Sequence, residues 1–405
     1  MKPILRAERM KPVHSDIRGP LYVEAMKRQK QGIDILKLNT GNPATFGFGL
    51  PDSIRNALME HMQDGVGYCD FKGMPQARQA ICDYETSKGI KGITPDDVFI
   101  GNGVSEVVSF ALTPLLNDGD EVLVPSPSYS LWGNSVYLED GKPVFYTCDE
   151  KAGWYPDIQD IRSKITDKTK AIAIINPNNP TGVLYPKEIL LEIIQVAREF
   201  GLLIFSDEIY DRLVMDGKQH ISLASLTEDV PVITLNGLSK SHCLCGYRCG
   251  WMVISGPREL TEDYRQGIIQ LTSLRLCANT MAQIVIPAAL DDMETPASMV
   301  RPGGRIYEQR EATIRELEKI DGLSFIKNDA AFYVFPKLDV KKFNITNDKQ
   351  FAHDLLDATN ILLVPGSGFD WKDPDHFRIV MLPQADVLSD AIRRMGTFLD
   401  GYKQK

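Results

Sequence analysis

Long hydrophobic runs are missing from the chain. No stretch of about 18 apolar residues occurs, so no span for a bilayer is expected. Basic runs are missing too: 45 Lys and Arg stand against 54 Asp and Glu, a net charge of −9. A groove that tracks the phosphates of a nucleic acid usually needs a basic face, so nucleic-acid binding is not expected. Cysteine is scarce and odd in number, seven over 405 residues, which makes no disulfide framework. His242, Cys243, Cys245 and Cys249 do crowd together, but zinc ligands usually come as two separated pairs and no second pair follows. They read as small residues of a turn, and no metal is expected. Internal repeats and low-complexity linkers are also lacking. The first residues, Met1-Lys-Pro-Ile-Leu-Arg-Ala-Glu-Arg9, carry charges where a signal peptide needs an apolar stretch. The cytoplasm is the expected location.

What is present is an ordinary globular balance, 43% hydrophobic and 24% charged, in a chain long enough for a large core. From about 98 to 254, short apolar segments alternate with amphipathic helices. The apolar segments are Val98–Gly101, Glu121–Pro125, Val144–Thr147, Ala171–Asn176, Leu202–Ser206, Val232–Leu235 and Trp251–Ile254. Helices are expected from Val104, around Leu131 and from Pro186. That alternation predicts an α/β fold whose mostly parallel sheet is sandwiched by helices. Such sheets take ligands at the carboxyl ends of their strands. Residues 1–47 look irregular, except for a helix near Pro20 to Lys30 that opens on a proline. A long helical stretch is expected over roughly Glu262 to Asp291, and another after the turn Pro302-Gly-Gly304. Ala331–Phe335, Ile361–Val364 and Phe377–Met381 then alternate with helices, which suggests a smaller α+β domain. The expected division is an N-terminal arm and part of the small domain over 1–47, a large domain over 48–295 and a small C-terminal domain over 296–405.

Five stretches carry chemistry. Val232 to Leu235 leads into Ser239-Lys240, followed by Gly246, Arg248, Gly250 and Trp251. A lysine at a rigid strand end can be desolvated, lose its proton and attack a carbonyl. An arginine framed by glycines can fork onto a phosphate. Ile100-Gly-Asn-Gly-Val-Ser-Glu106 runs from a strand into a helix, where amides and the Ser105 hydroxyl make an anion site. A plain strand–helix turn explains it equally well, and Glu106 breaks the GxGxxG pattern. Ser126-Pro-Ser-Tyr-Ser130 puts Tyr129 where a ring could cover a planar molecule, or simply half-bury in a turn. Ile175-Asn-Pro-Asn-Asn-Pro-Thr-Gly-Val183 is a rigid polar loop that offers the Asn179 amide. Phe205-Ser-Asp-Glu-Ile-Tyr210 sets carboxylates at a strand's carboxyl end, where Asp207 either faces a ring nitrogen or caps a helix.

Taken together and in this order, these strings resemble the class I/II aminotransferases, pyridoxal-phosphate enzymes of fold type I. The resemblance spans nearly the whole chain. It implies that Lys240 is the Schiff-base lysine and Asp207 the partner of the cofactor's pyridinium nitrogen. Asn179 and Tyr210 would bond the ring's phenolic oxygen, and Tyr129 would stack on the ring. Val104, Ser105 and Arg248 would hold the phosphate, with Glu106 of the same turn and Ser239 as further cofactor contacts. Many members have serine where this chain has Gly237. In Leu38-Asn-Thr-Gly-Asn-Pro43, Gly41 matches the glycine beside the substrate carboxylate. Arg378, in His376-Phe-Arg-Ile-Val380, matches the arginine that clamps that carboxylate. Tyr68, in Gly67-Tyr-Cys-Asp-Phe-Lys-Gly73, matches a tyrosine that reaches the partner subunit's phosphate, which implies a homodimer with shared sites.

Asp16-Ile-Arg-Gly-Pro20, Asn236-Gly-Leu-Ser-Lys240 and Leu274-Arg-Leu-Cys-Ala-Asn279 are similar to the bacterial glutamate–pyruvate (alanine) branch. The implied reaction moves an amino group between L-alanine and 2-oxoglutarate by ping-pong kinetics. For the second carboxylate of glutamate, Arg18 in the N-terminal arm is favoured over Arg275. Rival readings are a carbon–sulfur lyase, a ring-closing synthase, or an aminotransferase of aromatic or branched-chain specificity. A ligand-sensing regulator would need an added DNA-binding segment, and the roughly 40 residues before Gly41 are not basic.

Overall fold

The computed structural model describes residues 3–405. Among them, eight strands form the principal sheet. Across it run Val98–Gly101, Gly250–Ser255, Val232–Gly237, Leu203–Asp207, Thr169–Ile175, Glu121–Ser126, Lys142–Asp149 and Tyr155–Pro156. The five strands from Val232–Gly237 to Lys142–Asp149 pair in parallel. Gly250–Ser255 runs antiparallel to both its neighbours, and Tyr155–Pro156 closes the far edge antiparallel.

Parallel neighbours need crossovers, and the chain supplies helices for them. Lys187–Phe200 is one: it follows Pro186 and stops at Gly201, whose φ of +65° is a left-handed cap. Because side chains alternate along a strand, each strand feeds two cores. Ile172, Ile174, Ile204 and Val232 pack against Leu190, Ile193 and Ile194 of that helix. Ala173, Ile175, Phe205 and Ile233 face Val107, Val108 and Ala111 of helix Val104–Leu112. Each fully buried Ile, Val or Phe contributes about 1.5–3 kcal/mol, so the strand ends are held rigidly.

A second core lies among helices Arg305–Leu317, Asp348–Thr359 and Ala385–Asp400. Its antiparallel sheet sets Phe377–Val380 between Tyr333–Val334 and Val364–Pro365. Leu36–Lys37 pairs in parallel with Ile361–Leu362, so the N-terminal segment is built into the C-terminal core. The architecture is a mostly parallel sheet flanked by helices with a smaller α+β unit beside it.

The expected helix over Glu262 to Asp291 is broken. It comprises Glu262–Arg275, Thr280–Ile284 and Ile286–Asp291. Leu276 turns the chain at φ +76°, and the Asn279 side chain caps the next helix by accepting from the Met281 amide at 3.1 Å. Asparagine as an N-cap and Pro287 at the start of the third helix are the local signs of the breaks. Ala331–Phe335 is strand only at Tyr333–Val334, since Ala331 sits at φ +60°. No single helix is long and apolar enough to cross a membrane.

Candidate active site

A cavity of about 520 Å³ opens at the carboxyl ends of the parallel strands. Twelve of the residues singled out in the sequence line it: Arg18, Gly41, Val104, Ser105, Tyr129, Asn179, Asp207, Tyr210, Ser239, Lys240, Arg248 and Arg378.

Asp207 ends strand Leu203–Asp207 and is 5% exposed. Its carboxylate accepts from Trp132 Nε1 at 3.2 Å and from the Ile209 amide at 3.3 Å. Burial raises its pKa to about 6 despite these two bonds. A buried carboxylate aimed at a cavity with only neutral donors is half-satisfied, and an N–H cation opposite it would restore its charge.

Lys240 sits in the short helix Leu238–Ser241, directly after strand Val232–Gly237. Its Nζ donates to Gly41 O at 3.0 Å and lies 5.8 Å from the Phe332 ring centroid. The loss of its proton by desolvation, expected from its place in the sequence, is not a property of the chain alone. Burial lowers its pKa, but Tyr333, Cys245 and Tyr129 outweigh that, and the net direction is upward. Gly237 is explained by a close approach: a side chain there would meet Cys249 O and the Gly250 backbone of the adjoining strand.

Arg248 adopts a left-handed conformation, φ +58°. Its guanidinium donates to Cys245 O at 3.1 Å, Ser105 Oγ at 3.2 Å and Asn102 O at 3.4 Å. It lies against Gly103, φ +87°, where any side chain would displace it. No acid pairs with it among the described residues, and it meets the N-terminus of helix Val104–Leu112. Positive charge and helix dipole converge on a place for an anion.

Arg378, on strand Phe377–Val380, is 1% exposed. Nη1 donates to Asn179 Oδ1 at 2.9 Å and Nη2 to Asn39 O. Tyr333 and Phe369 sandwich the guanidinium at 4.6 and 4.7 Å from their centroids. It too has no acid partner among the described residues, and burial lowers its pKa. A buried cation without a counter-ion is costly, and the missing anion would enter from the cavity. Nε is buried without a partner, so the two Nη groups form the fork open to that anion.

Some expected residues stand elsewhere. Glu106 does not line the cavity: its carboxylate takes the Asn102 amide at 2.7 Å, Asn102 Nδ2 at 2.9 Å and Arg275 Nη1 at 2.6 Å. Its carboxylate closes the turn, away from the cavity. Arg275 is held by that pair and by Phe71 O and Ile100 O, and it does not line the cavity of its own chain. Tyr68 lies outside the cavity with 83% exposure. The His242–Cys249 group disperses: Cys245 lines the cavity, Cys243 reaches Met299 Sδ, Cys249 enters the core, and His242 bonds Ser241 and Asp292. Nothing in the sequence singled out Trp132 or Tyr333, and Cys245 read only as a small residue of a turn. Tyr333 is placed by the pairing of its strand with the one that carries Arg378, which no local pattern announces.

The model of aminotransferase class I and II matches residues 33–394. The chain is 48% identical to glutamate-pyruvate aminotransferase AlaA of Haemophilus influenzae, with all of both chains covered. It is 45% identical to alanine aminotransferase of Mycobacterium bovis, over 98% of this chain and 93% of that one. Its fold superposes on the crystal structure of an Escherichia coli aminotransferase with a TM-score of 0.98, at 46% identity and with full coverage of both chains. A rigid sheet edge that presents a lysine, a half-satisfied carboxylate and two anion seats, in a chain this similar throughout, places the protein in aminotransferase class I and II.

Proposed function

We propose that this aminotransferase interconverts L-alanine plus 2-oxoglutarate and pyruvate plus L-glutamate, with pyridoxal phosphate bound in the cavity. The observation that carries the reading is the buried, acid-free fork of Arg378 in one cavity with Lys240 and Asp207. The names of the relatives support the choice of substrates.

The donor set fits the cofactor. Asp207 lacks a cationic N–H partner, and Arg248, Ser105 and a helix N-terminus leave an anion seat open. Pyridoxal phosphate, when bound, supplies an aldehyde for the amino group and a ring that spreads the electron pair left on Cα. Asp207 holds a proton on the ring nitrogen. Arg248 and Ser105, with the Val104 end of the helix, bind the phosphate, and Ser239 lies close enough to join them. Asn179 and Tyr210 donate to the phenolic oxygen, while Tyr129 covers the ring face. Arg378 orients the substrate by its carboxylate, beside Gly41, with two parallel hydrogen bonds. Lys240 Nζ holds the cofactor at rest and takes the Cα proton in the reaction. That step needs a neutral amine, and Arg378 is the nearby charge that lowers its pKa. Arg18, exposed and without an ion pair among the described residues, meets the distal carboxylate of glutamate and turns to water when alanine binds.

Single amino acids tested against pyruvate and 2-oxoglutarate decide the function. Alanine with 2-oxoglutarate and glutamate with pyruvate are expected as the fastest pairs. Pyruvate and ammonia formed from one amino acid without an acceptor would make the enzyme a lyase and overturn the reading.

The working unit is a homodimer in which Tyr68, exposed in the single chain, reaches the partner's phosphate seat. Mixing inactive Lys240→Ala and Tyr68→Ala chains is expected to restore part of the activity, since one site of each hybrid carries neither lesion. No recovery from verified hybrids would place Tyr68 outside the shared site. The cytoplasm is the proposed location, consistent with seven free thiols.

A further inference from the structure

Tyr333 has no part in the reaction as set out above, yet it touches each side of the cavity. It is 1% exposed and lines the pocket. Its Oη lies 2.9 Å from Tyr210 Oη. The Arg378 guanidinium sits over its ring, and a side chain on Gly41 would collide with its hydroxyl. The antiparallel ladder sets it opposite Val380, two residues beyond Arg378, so its place is fixed by backbone pairing.

A phenol has one proton to give. If Tyr210 donates to the phenolic oxygen of bound cofactor, its own oxygen is left to accept, and Tyr333 must be the donor across the 2.9 Å contact. Hydroxyls linked in this way polarise one another, so each donor is stronger than it would be alone. Burial holds the Tyr210 phenol well above the usual tyrosine range, which keeps its proton in place. The Tyr333 ring serves the guanidinium of Arg378. A planar cation between two aromatic rings keeps its fork in one plane without a counter-ion.

We infer that Tyr333 is a positioning residue with two separable tasks: its hydroxyl strengthens Tyr210 as a donor to the cofactor, and its ring holds the Arg378 fork flat for the substrate carboxylate. The inference rests on the reading of the cavity as a pyridoxal-phosphate and amino-acid site.

The test uses the cofactor-loaded enzyme and follows its visible absorbance against pH. A donor on the phenolic oxygen stabilises the negative charge there and lowers the proton affinity of the linked lysine nitrogen. Tyr210→Phe should therefore raise the absorbance midpoint. Tyr333→Phe, which loses only the hydroxyl, should raise it less, by about half a pH unit. In a Tyr210→Phe background, Tyr333→Phe should add nothing, since its route is gone. The KM for alanine should stay within about twofold in Tyr333→Phe and rise roughly tenfold in Tyr333→Leu, where the ring face is lost. An equal shift in both backgrounds, or none from Tyr333→Phe where Tyr210→Phe shifts, overturns the hydroxyl task. An equal KM in the Phe and Leu variants overturns the ring task. Should Tyr333→Leu fail to fold, Tyr333→Met replaces it, and the Phe variant decides the hydroxyl task regardless. A visible band that persists in Lys240→Ala, with no shift from Tyr210→Phe, would instead overturn the reading of the cavity itself.

Discussion

The floor of the cavity and the arm along its rim are held by different forces. Asp207, Lys240 and Asn179 each end or closely follow a strand that is buried along most of its length. The arm that bears Ser15, Ile17 and Arg18 has two short 3-10 turns, Glu8–Met10 and Asp16–Arg18, neither with a buried residue. Apart from Ile17, which packs on the apolar core, polar contacts hold it. His14 bonds Asp370 at 3.1 Å and lies 3.5 Å from Asp16, and Lys349 lies 3.2 Å from Asp16. Asn134 receives the His14 amide at 3.1 Å and donates back to its carbonyl at 2.6 Å. Asn39 Nδ2 grips Ile17 O at 2.8 Å. Apolar burial makes a floor that keeps reacting groups in register, whereas a few solvated polar bonds make a rim that can open. On the proposed function, the floor would carry the chemistry and the rim the choice of substrate.

The largest expected effect comes from the floor. Asp207→Asn should reduce kcat roughly 10²–10³-fold, as does loss of one preorganised electrostatic partner, while Tyr129→Phe, which keeps a ring, should stay within about threefold. The cofactor-free chain should respond in the opposite sense. Asp207 has a raised pKa in the fold, so stability is lost as pH rises from its ordinary value through about 6. Denaturation of the cofactor-free protein at pH 8 should therefore find Asp207→Asn more stable, by something on the order of 3 kcal/mol. Equal rate losses in the two variants would erase the distinction between an electrostatic partner and a stacking face.

A smaller and selective effect is expected at the rim. Arg18→Ala should slow the glutamate half-reaction roughly tenfold and leave the alanine half-reaction within about twofold. Single-turnover kinetics with each amino acid measure the split, and an equal loss with both would return Arg18 to the surface.

The smallest effect concerns the latch. Asp16 and Asp370 hold the His14 imidazolium, and its pKa rises to about 9. Its contribution to seating the arm is complete below its ordinary pKa and fades as pH climbs through about 9. Asp16, Asp370, Asn134 and Lys349 are the polar groups that surround the latch. The KM for glutamate should rise by roughly twofold between pH 8 and 10, and His14→Gln should show the higher value at both. A wild-type KM that is flat over that range would leave the arm seated without the charge on His14.

Gly237 and Glu106 show where reading along the chain runs out. Many members have serine at the place of the glycine, and here the crossing backbone of Cys249 and Gly250 leaves no room for a side chain. Glu106 sat beside Ser105 in an anion-binding turn, yet Arg275, 169 positions away, draws its carboxylate out of the site. Seven of the eight strands of the large sheet, by contrast, were legible from their apolar runs, because burial acts within a few residues; the two-residue edge strand Tyr155–Pro156 was not.

The sequence by itself determined the strand–helix alternation, the polar loops at strand ends and the order in which Asn179, Asp207, Lys240 and Arg248 arrive. Those follow from local propensity and turn chemistry, which need no distant partner. Only the tertiary structure decided that Trp132 bonds Asp207 across 75 residues and that Tyr333 meets Tyr210 across 123. It alone decided that Lys240 retains its proton in the bare chain and that Arg378 is buried without an acid. Protonation and partner choice depend on the field and packing of the folded whole, and residues far apart in the chain supply both.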